Sequence, residues 1–173
     1  AGARVSAILE ASHLLASAVA AGMKTLLFCP ARKLVEVCLD HTRRLLASPK
    51  AYPNCAHLAA SVQAYRGGYN KSERRAIERD LFEGRLRGVC ATNALELGVD
   101  IGQLDIIIQL GFPGSIASFQ QQAGRAGRRA GQAAACFLVA FDAPLDQYLM
   151  RNPSWLFGGD GPDGKRTAEC VAC

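Results

Sequence analysis

KTLLFCPARKLVEVCLDHTRRLLA, residues 24–47, is the stretch that decides the fold. KTLLFC at its start is a short apolar run of the kind buried on both faces of a parallel sheet. From 31 to 47 the apolar residues return at helical spacing, through Leu34, Val37, Cys38 and Leu45. A buried strand running into an amphipathic helix is the repeating unit of an α/β domain.

The same alternation extends in both directions. Upstream, Val5, Ile8, Leu9, Leu15 and Val19 lie among alanines and predict a packing helix over 3–21 that Gly22 ends. Downstream, the loop SPKAYPNC (48–55) leads to a strand SVQAY (61–65) and a sharp turn RGGY whose bend falls to Gly67 and Gly68. Asn70 and Glu73 have capping-box spacing, so a helix runs from 71 to about 84, with Ile77, Leu81 and Phe82 as its buried face. A strand GVCAT (88–92), a tight element through Asp100, a strand LDIIIQL (104–110) and a helix opening near Ser115 follow. ACFLVA (135–140) is the last strand, and Asp142 with Pro144 starts a final helix that ends before Pro153. The expected architecture is an α/β domain over 1–157. It has a central parallel sheet of five or six strands, helices on both faces and its functional edge at the strand carboxyl ends. The Gly-, Pro- and charge-rich segment 158–173 is expected to be a mobile or linker tail.

With 50% hydrophobic and 20% charged residues in 173, the chain has a globular balance and excludes a disordered class. Glu10, His13 and Lys24 break the Ala/Leu-rich start, so no membrane span is expected. The net charge of +5 permits contact with phosphate backbones. Between Tyr65 and Val89 seven cations (Arg66, Lys71, Arg74, Arg75, Arg79, Arg85, Arg87) face four acids (Glu73, Glu78, Asp80, Glu83). Seven cysteines, five of them scattered singly, fit free thiols in a reducing compartment, with Cys29 and Cys90 read as core. Cys170 and Cys173 form a CxxC without a second pair, so no metal site is assigned.

The segment QQAGRAGRR (121–129) carries the clearest chemical signal. Arg125 and Arg128 are three apart, which places them on one side of a helical turn among small residues that let the backbone press against another surface. Such a pair suits the spread negative charge of phosphoryl transfer. A basic helix end solvated at the surface, or a site holding nucleic-acid phosphate, is the alternative. No GxxxxGK[ST] phosphate loop and no DExH block occur in the 173 residues.

Four blocks taken together resemble the C-terminal RecA-like lobe of superfamily 2 helicases. Gln121, Gly124, Arg125, Gly127 and Arg128 match its QxxGRxGR motif, with Gln122 standing where many relatives have arginine. ATNALELGVDIG (91–102) resembles the fifth motif, LLFCPAR (26–32) the fourth, and YRGGYNKSERRAIERDLFEG (65–84) the motif between them. Their wording resembles the RecQ-like Hrq helicases of fungi and plants and the bacterial mitomycin repair helicase.

The resemblance implies a P-loop NTPase-type, RecA-like three-layer domain that is the second motor lobe of an ATP-dependent 3′–5′ DNA helicase acting in repair. It implies arginine fingers at Arg125 and Arg128 and an ATP-facing set of Gly98, Asp100, Gln121 and Gly124. Thr92, with its hydroxyl and N–H after a buried strand, and Arg66 with Gly67 beside a closely approachable backbone are implied to touch single-stranded DNA or RNA. Arg32 and Asn93 belong to the same track, while Arg74, Arg75 and Arg79 read as a solvated helix face. ATP and Mg²⁺ are implied as cofactors, held mainly by an N-terminal RecA-like lobe that this sequence does not contain. The lobe alone is therefore not expected to hydrolyse ATP. The branch carries a cysteine-rich zinc region farther along, with which Cys170 and Cys173 are not equated. Nucleus or bacterial cytoplasm is the expected compartment. A second reading is a truncated, non-catalytic nucleic-acid-binding or regulatory module, and a third is the lobe of an RNA helicase.

Overall fold

The computed structural model describes residues 6–95, 101–127 and 134–157. Its elements are α1 (Ala7–Ala20), β1 (Thr25–Phe28), α2 (Arg32–Ala47), β2 (Val62–Tyr65), α3 (Lys71–Phe82), β3 (Gly88–Ala91), β4 (Ile106–Leu110), α4 (Ile116–Ala123), β5 (Ala135–Val139), α5 (Pro144–Arg151) and α6 (Ser154–Phe157). A 3-10 turn over Ala56–Ser61 and the short α6 are additions to the sequence reading. The five strands form one parallel sheet in the order β2-β3-β1-β4-β5.

The register splits the sheet's side chains between two cores. Leu27, Ala64, Cys90 and Ile108 point to one face, where α1 and α2 cover them with Leu15, Val19, Val35 and Leu46. Leu26, Phe28, Tyr65, Val89 and Ile107 point to the other, against Leu81 of α3, Leu95 and Leu104. Each leucine, isoleucine, valine or phenylalanine among them contributes about 1.5–3 kcal/mol on leaving water. α1 is built from small residues because it crosses β3 closely: a Cβ on Gly88 would lie 2.9 Å from Val19 Cγ2. Leu104, Cys90 and Val89 show why these runs are apolar throughout: they are at most 1% exposed.

The capping box of α3 forms as the spacing requires, with Asn70 Oδ1 accepting from Glu73 N (2.9 Å) and Asn70 N donating to Glu73 Oε2 (2.8 Å). Phe82 corrects the sequence reading. Leu81 is buried and Ile77 half-buried, but Phe82 is 53% exposed. One residue on from Leu81 it has rotated off the apolar stripe, and it shields Gly102, where a Cβ would meet its ring at 3.2 Å. Pro144 opens α5 as expected, with Ala143 rather than Asp142 as the cap residue. Cys29 and Cys90 are core, as read. A hydrogen bond with Cys38, and then burial, pushes the Cys29 thiol far up, and burial does the same to Cys90, so both stay neutral.

Candidate functional site

Two groups of residues emerge, at opposite ends of the sheet. The first is at the carboxyl ends of β1, β3 and β2, three neighbouring strands. Thr92 follows β3 and donates its N–H to the Tyr65 carbonyl at 3.4 Å, which sets it beside Arg66 at the end of β2. Arg66 is held from two sides: its guanidinium is 3.3 Å from Glu36 Oε1 and 5.2 Å from the centre of the Tyr69 ring. Gly67 and Gly68 make the turn closed by Tyr69 N to Arg66 O (3.2 Å), and both keep ordinary negative φ. Their value is openness: a Cβ on Gly68 would meet nothing within 4 Å, and one on Gly67 would be 3.7 Å from Arg32 Nη2. Arg32, Arg66, Gly67, Thr92 and the exposed Asn93 thus share one edge, as the sequence reading required.

The arginine-rich segment is elsewhere. α4 runs back antiparallel to β4, so its end lies by the amino terminus of that strand. Ala126 pairs with Leu104, and Gly127 N donates to Leu104 O at 3.1 Å. The described part of the segment thus lies level with Leu104, two residues before β4 begins, although Gln122 just upstream still reaches the carboxyl ends of β1 and β4. The expected functional edge is at the strand carboxyl ends, and Ala126 and Gly127 lie away from it. The helical turn expected over this segment does not extend through 124–127, and Arg128 lies outside the described residues. The helix stops at Ala123, Ala126 is extended in a bridge, and Gly127 has φ +67°, where a Cβ would strike that of Ala134 at 2.8 Å. Arg125 is 8% exposed and engaged; Gln121 and Gly124 are exposed. Arg128, Gly98, Asp100, Cys170 and Cys173 lie outside the described residues.

A cleft of about 330 Å³ opens between the carboxyl ends of β1 and β4, lined by Phe28, Cys29, Pro30, Asn93, Leu110 to Gly114, Ser118 and Gln122. Its cause is topological. The chain leaves β1 towards β2 on one face and leaves β4 towards β5 on the other, so the two loops diverge and leave a crevice. Of the residues named from sequence only Asn93 reaches it; Gln122, noted as a departure from the motif, lines it. The one available signal for the rest was the turn-rich LGFPGS after β4.

The far wall of the cleft is fixed by buried polar contacts. Asp146 of α5, 6% exposed, accepts from Phe141 N at 2.8 Å and Phe112 N at 3.4 Å and so ties the loops after β5 and β4 together. Gly111 is at φ +77° with the Phe141 ring 2.6 Å from any added Cβ, so only glycine fits there. The fully buried Gln109 donates from Nε2 to Phe119 O at 2.9 Å, binding α4 to β4. Among the described residues no group of three or more His, Cys, Asp or Glu side chains converges as a metal site requires.

A five-stranded parallel sheet in this order with flanking helices is the architecture of a RecA-like lobe. Residues 6–130 match the helicase conserved C-terminal domain, and the chain belongs to that family. It is 44% identical over 154 residues to the ATP-dependent helicase YprA of Bacillus subtilis, covering 89% of this chain and 20% of that protein. With the ATP-dependent helicase HRQ1 of Saccharomyces cerevisiae it shares 40% over 153 residues, 88% of this chain and 14% of the relative. The crystal structure of the DUF1998 helicase MrfA bound to DNA and AMPPNP superposes with a TM-score of 0.79 at 44% identity, over 90% of this chain and 21% of the other. These matches place it among the superfamily 2 C-terminal lobes, in the Hrq and MrfA branch. The chain spans about a fifth or less of the length of these relatives.

Proposed function

We propose that this lobe is the second half of an ATP-dependent 3′–5′ DNA helicase, acting on single strands in repair and closing on a first lobe that carries the phosphate loop. The observation that carries the reading is the division of the candidate residues between the two ends of one sheet. Arg66, Arg32, Gly67, Thr92 and Asn93 form an edge of cations, a hydroxyl and open backbone suited to sugar-phosphate. Ala126 and Gly127 lie by Leu104 at the amino end of β4, and the GRxGR segment that contains them is assigned, with Gln121, Gly98 and Asp100, to nucleotide held against the partner lobe. Arg125, already held and nearly buried, is preorganised and would present one edge of its guanidinium. Arg128 is the finger that meets charge developing on the transferred phosphoryl group. Magnesium is assigned to the first lobe, and no step here is routed through it.

The test is to supply a first lobe bearing a GKT and DExH block and to measure ATP hydrolysis with single-stranded DNA saturating. Arg128→Ala is expected to cut turnover by about 10²-fold or more while ATP affinity changes much less, and Arg128→Lys to rescue poorly because the planar fork is lost. Near-normal turnover in Arg128→Ala removes that residue from the catalytic site.

A further inference from the structure

The charges between Tyr65 and Val89 look nearly balanced in sequence, but the fold sorts them. Every acid in the stretch is committed locally. Glu73 caps α3, Glu78 accepts the Tyr65 hydroxyl at 2.6 Å, and Asp80 and Glu83 are both taken by Arg85. Three cations are committed too, Arg66 to Glu36, Arg85 to its two acids and Arg87 to the Gly22 carbonyl, and a fourth, Arg74, is half-buried near Tyr65. That leaves Lys71, Arg75 and Arg79. All three are exposed, and among the described residues none has a side-chain hydrogen bond or ion pair. They recur every four residues, so they stack on one face of α3, and together with Ser72 and Ala76 they line a hollow of about 380 Å³.

Like charges four apart on a helix repel, so a solvated face gains nothing from this arrangement. An anionic polymer does. Neighbouring cations are about 6 Å apart along the axis, four residues at about 1.5 Å, which is the scale on which phosphates follow one another along a nucleic-acid strand. Ser72 and Ala76 are small and let a backbone approach. No aromatic side chain lines the hollow, so it offers no platform on which unpaired bases stack. The stripe begins five residues after Arg66, at the strand-contacting edge, and runs away from it down the outer flank of the lobe.

We propose that Lys71, Arg75 and Arg79 form a second nucleic-acid site that grips the phosphate backbone of a duplex adjoining the single strand held at Arg66. The proposal rests on the nucleic-acid reading of the carboxyl edge but uses none of its residues. A duplex fits better than a second single strand because its phosphates are already in fixed order and need only charge, without stacking.

The test is binding of a blunt fluorescein-labelled DNA duplex and of a single-stranded oligonucleotide to the 173-residue chain between about 50 and about 200 mM salt. Lys71→Ser/Arg75→Ser/Arg79→Ser is compared with Arg44→Ser/Lys50→Ser/Arg151→Ser, which removes the same charge from exposed positions elsewhere. The stripe variant is expected to flatten the log–log salt slope for duplex by about 2.7, three phosphates at about 0.9 each, and the control variant by less than about 1. Its melting temperature should stay within a few degrees of the parent's, since relief of the repulsion offsets part of the weaker helix propensity of serine. Equal losses in the two variants, or a loss seen for the single strand and not for the duplex, overturn the proposal. Arg66→Ala separates the two readings: it should weaken single-strand binding and leave the duplex slope of the stripe intact. If Arg66→Ala has no effect on single strands while the stripe variant loses duplex, the edge reading falls and the stripe stands.

Discussion

Replacing Asp146 by alanine should destabilise the lobe by about 3 kcal/mol and loosen the cleft wall. The carboxylate is 6% exposed and accepts two backbone N–H groups, Phe141 N at 2.8 Å and Phe112 N at 3.4 Å. A charge-assisted bond of the first length contributes about 1.5–3 kcal/mol, and the longer one about half as much. Alanine removes both and leaves the two donors in a crowded place, because Gly111 and the Phe141 ring already touch. For a domain of this size each kcal/mol moves the melting point about 2–4 °C, so a drop of about 6–12 °C is expected. Asp146→Asn keeps the shape and one acceptor but turns an NH₂ towards the other donor; it should lie between, at about 1–2 kcal/mol. The assay is urea unfolding followed by circular dichroism and by the fluorescence of Trp155, the single tryptophan, on the neighbouring α6. A loss below about 0.5 kcal/mol in Asp146→Ala, or asparagine as costly as alanine, would refute the latch.

The chain by itself should hydrolyse no ATP above blank; turnover that survives repurification and responds to Arg125→Ala would sink the divided-site argument. Binding to single-stranded DNA should weaken steeply with salt, and Arg66→Ala should reduce the log–log slope by about 0.7, one phosphate's worth, an unchanged slope counting against the backbone contact. Burial, together with the bond to Glu78, pushes the Tyr65 hydroxyl up to about 12 from an ordinary value of 10. Because the neutral phenol is favoured in the folded state, this stabilisation is complete below about pH 10 and is lost as pH rises towards 12. Tyr65→Phe should therefore flatten the alkaline limb of a stability–pH curve; an identical limb in both proteins would be the contrary result. Gly88→Val should fail to pack α1 on β3, given Val19 Cγ2 at 2.9 Å from the first added carbon, and a soluble variant with unchanged melting would show that α1 can move aside.

Most of the fold is legible in residues 24–140 because both periods are clear. Apolar runs such as LDIIIQL can sit only in a doubly covered strand, and Asn70 with Glu73 announces α3 by its chemistry. The misses have physical causes. Phe82 looks apolar enough for the core, but whether it lies on the stripe depends on rotation about the helix axis, and Gly102 was waiting to be covered by it. Residues 124–127 read as helical because nothing in them forbids a helix except a glycine that can also take positive φ, as Gly127 does. The cleft was invisible because it follows from strand order, and the order β2-β3-β1-β4-β5 is fixed by packing across the whole domain. Asp146 carried no local signal at all, since its partners at Phe112 and Phe141 are brought to it by β4 and β5.

The antiparallel course of α4 along β4 has a thermodynamic consequence. Side chains at the two ends of the sheet are too distant to touch, so substitutions such as Arg66→Ala and Arg125→Ala should combine additively in the stability of the lobe, within about 0.5 kcal/mol. Any excess in their combined effect on turnover would then measure coupling between the two positions in the assembled protein. Under the proposed function, coupling between a strand at Arg66 and the segment around Arg125 would have to pass through the sheet or through the partner lobe, and the double variant distinguishes the two routes from independence.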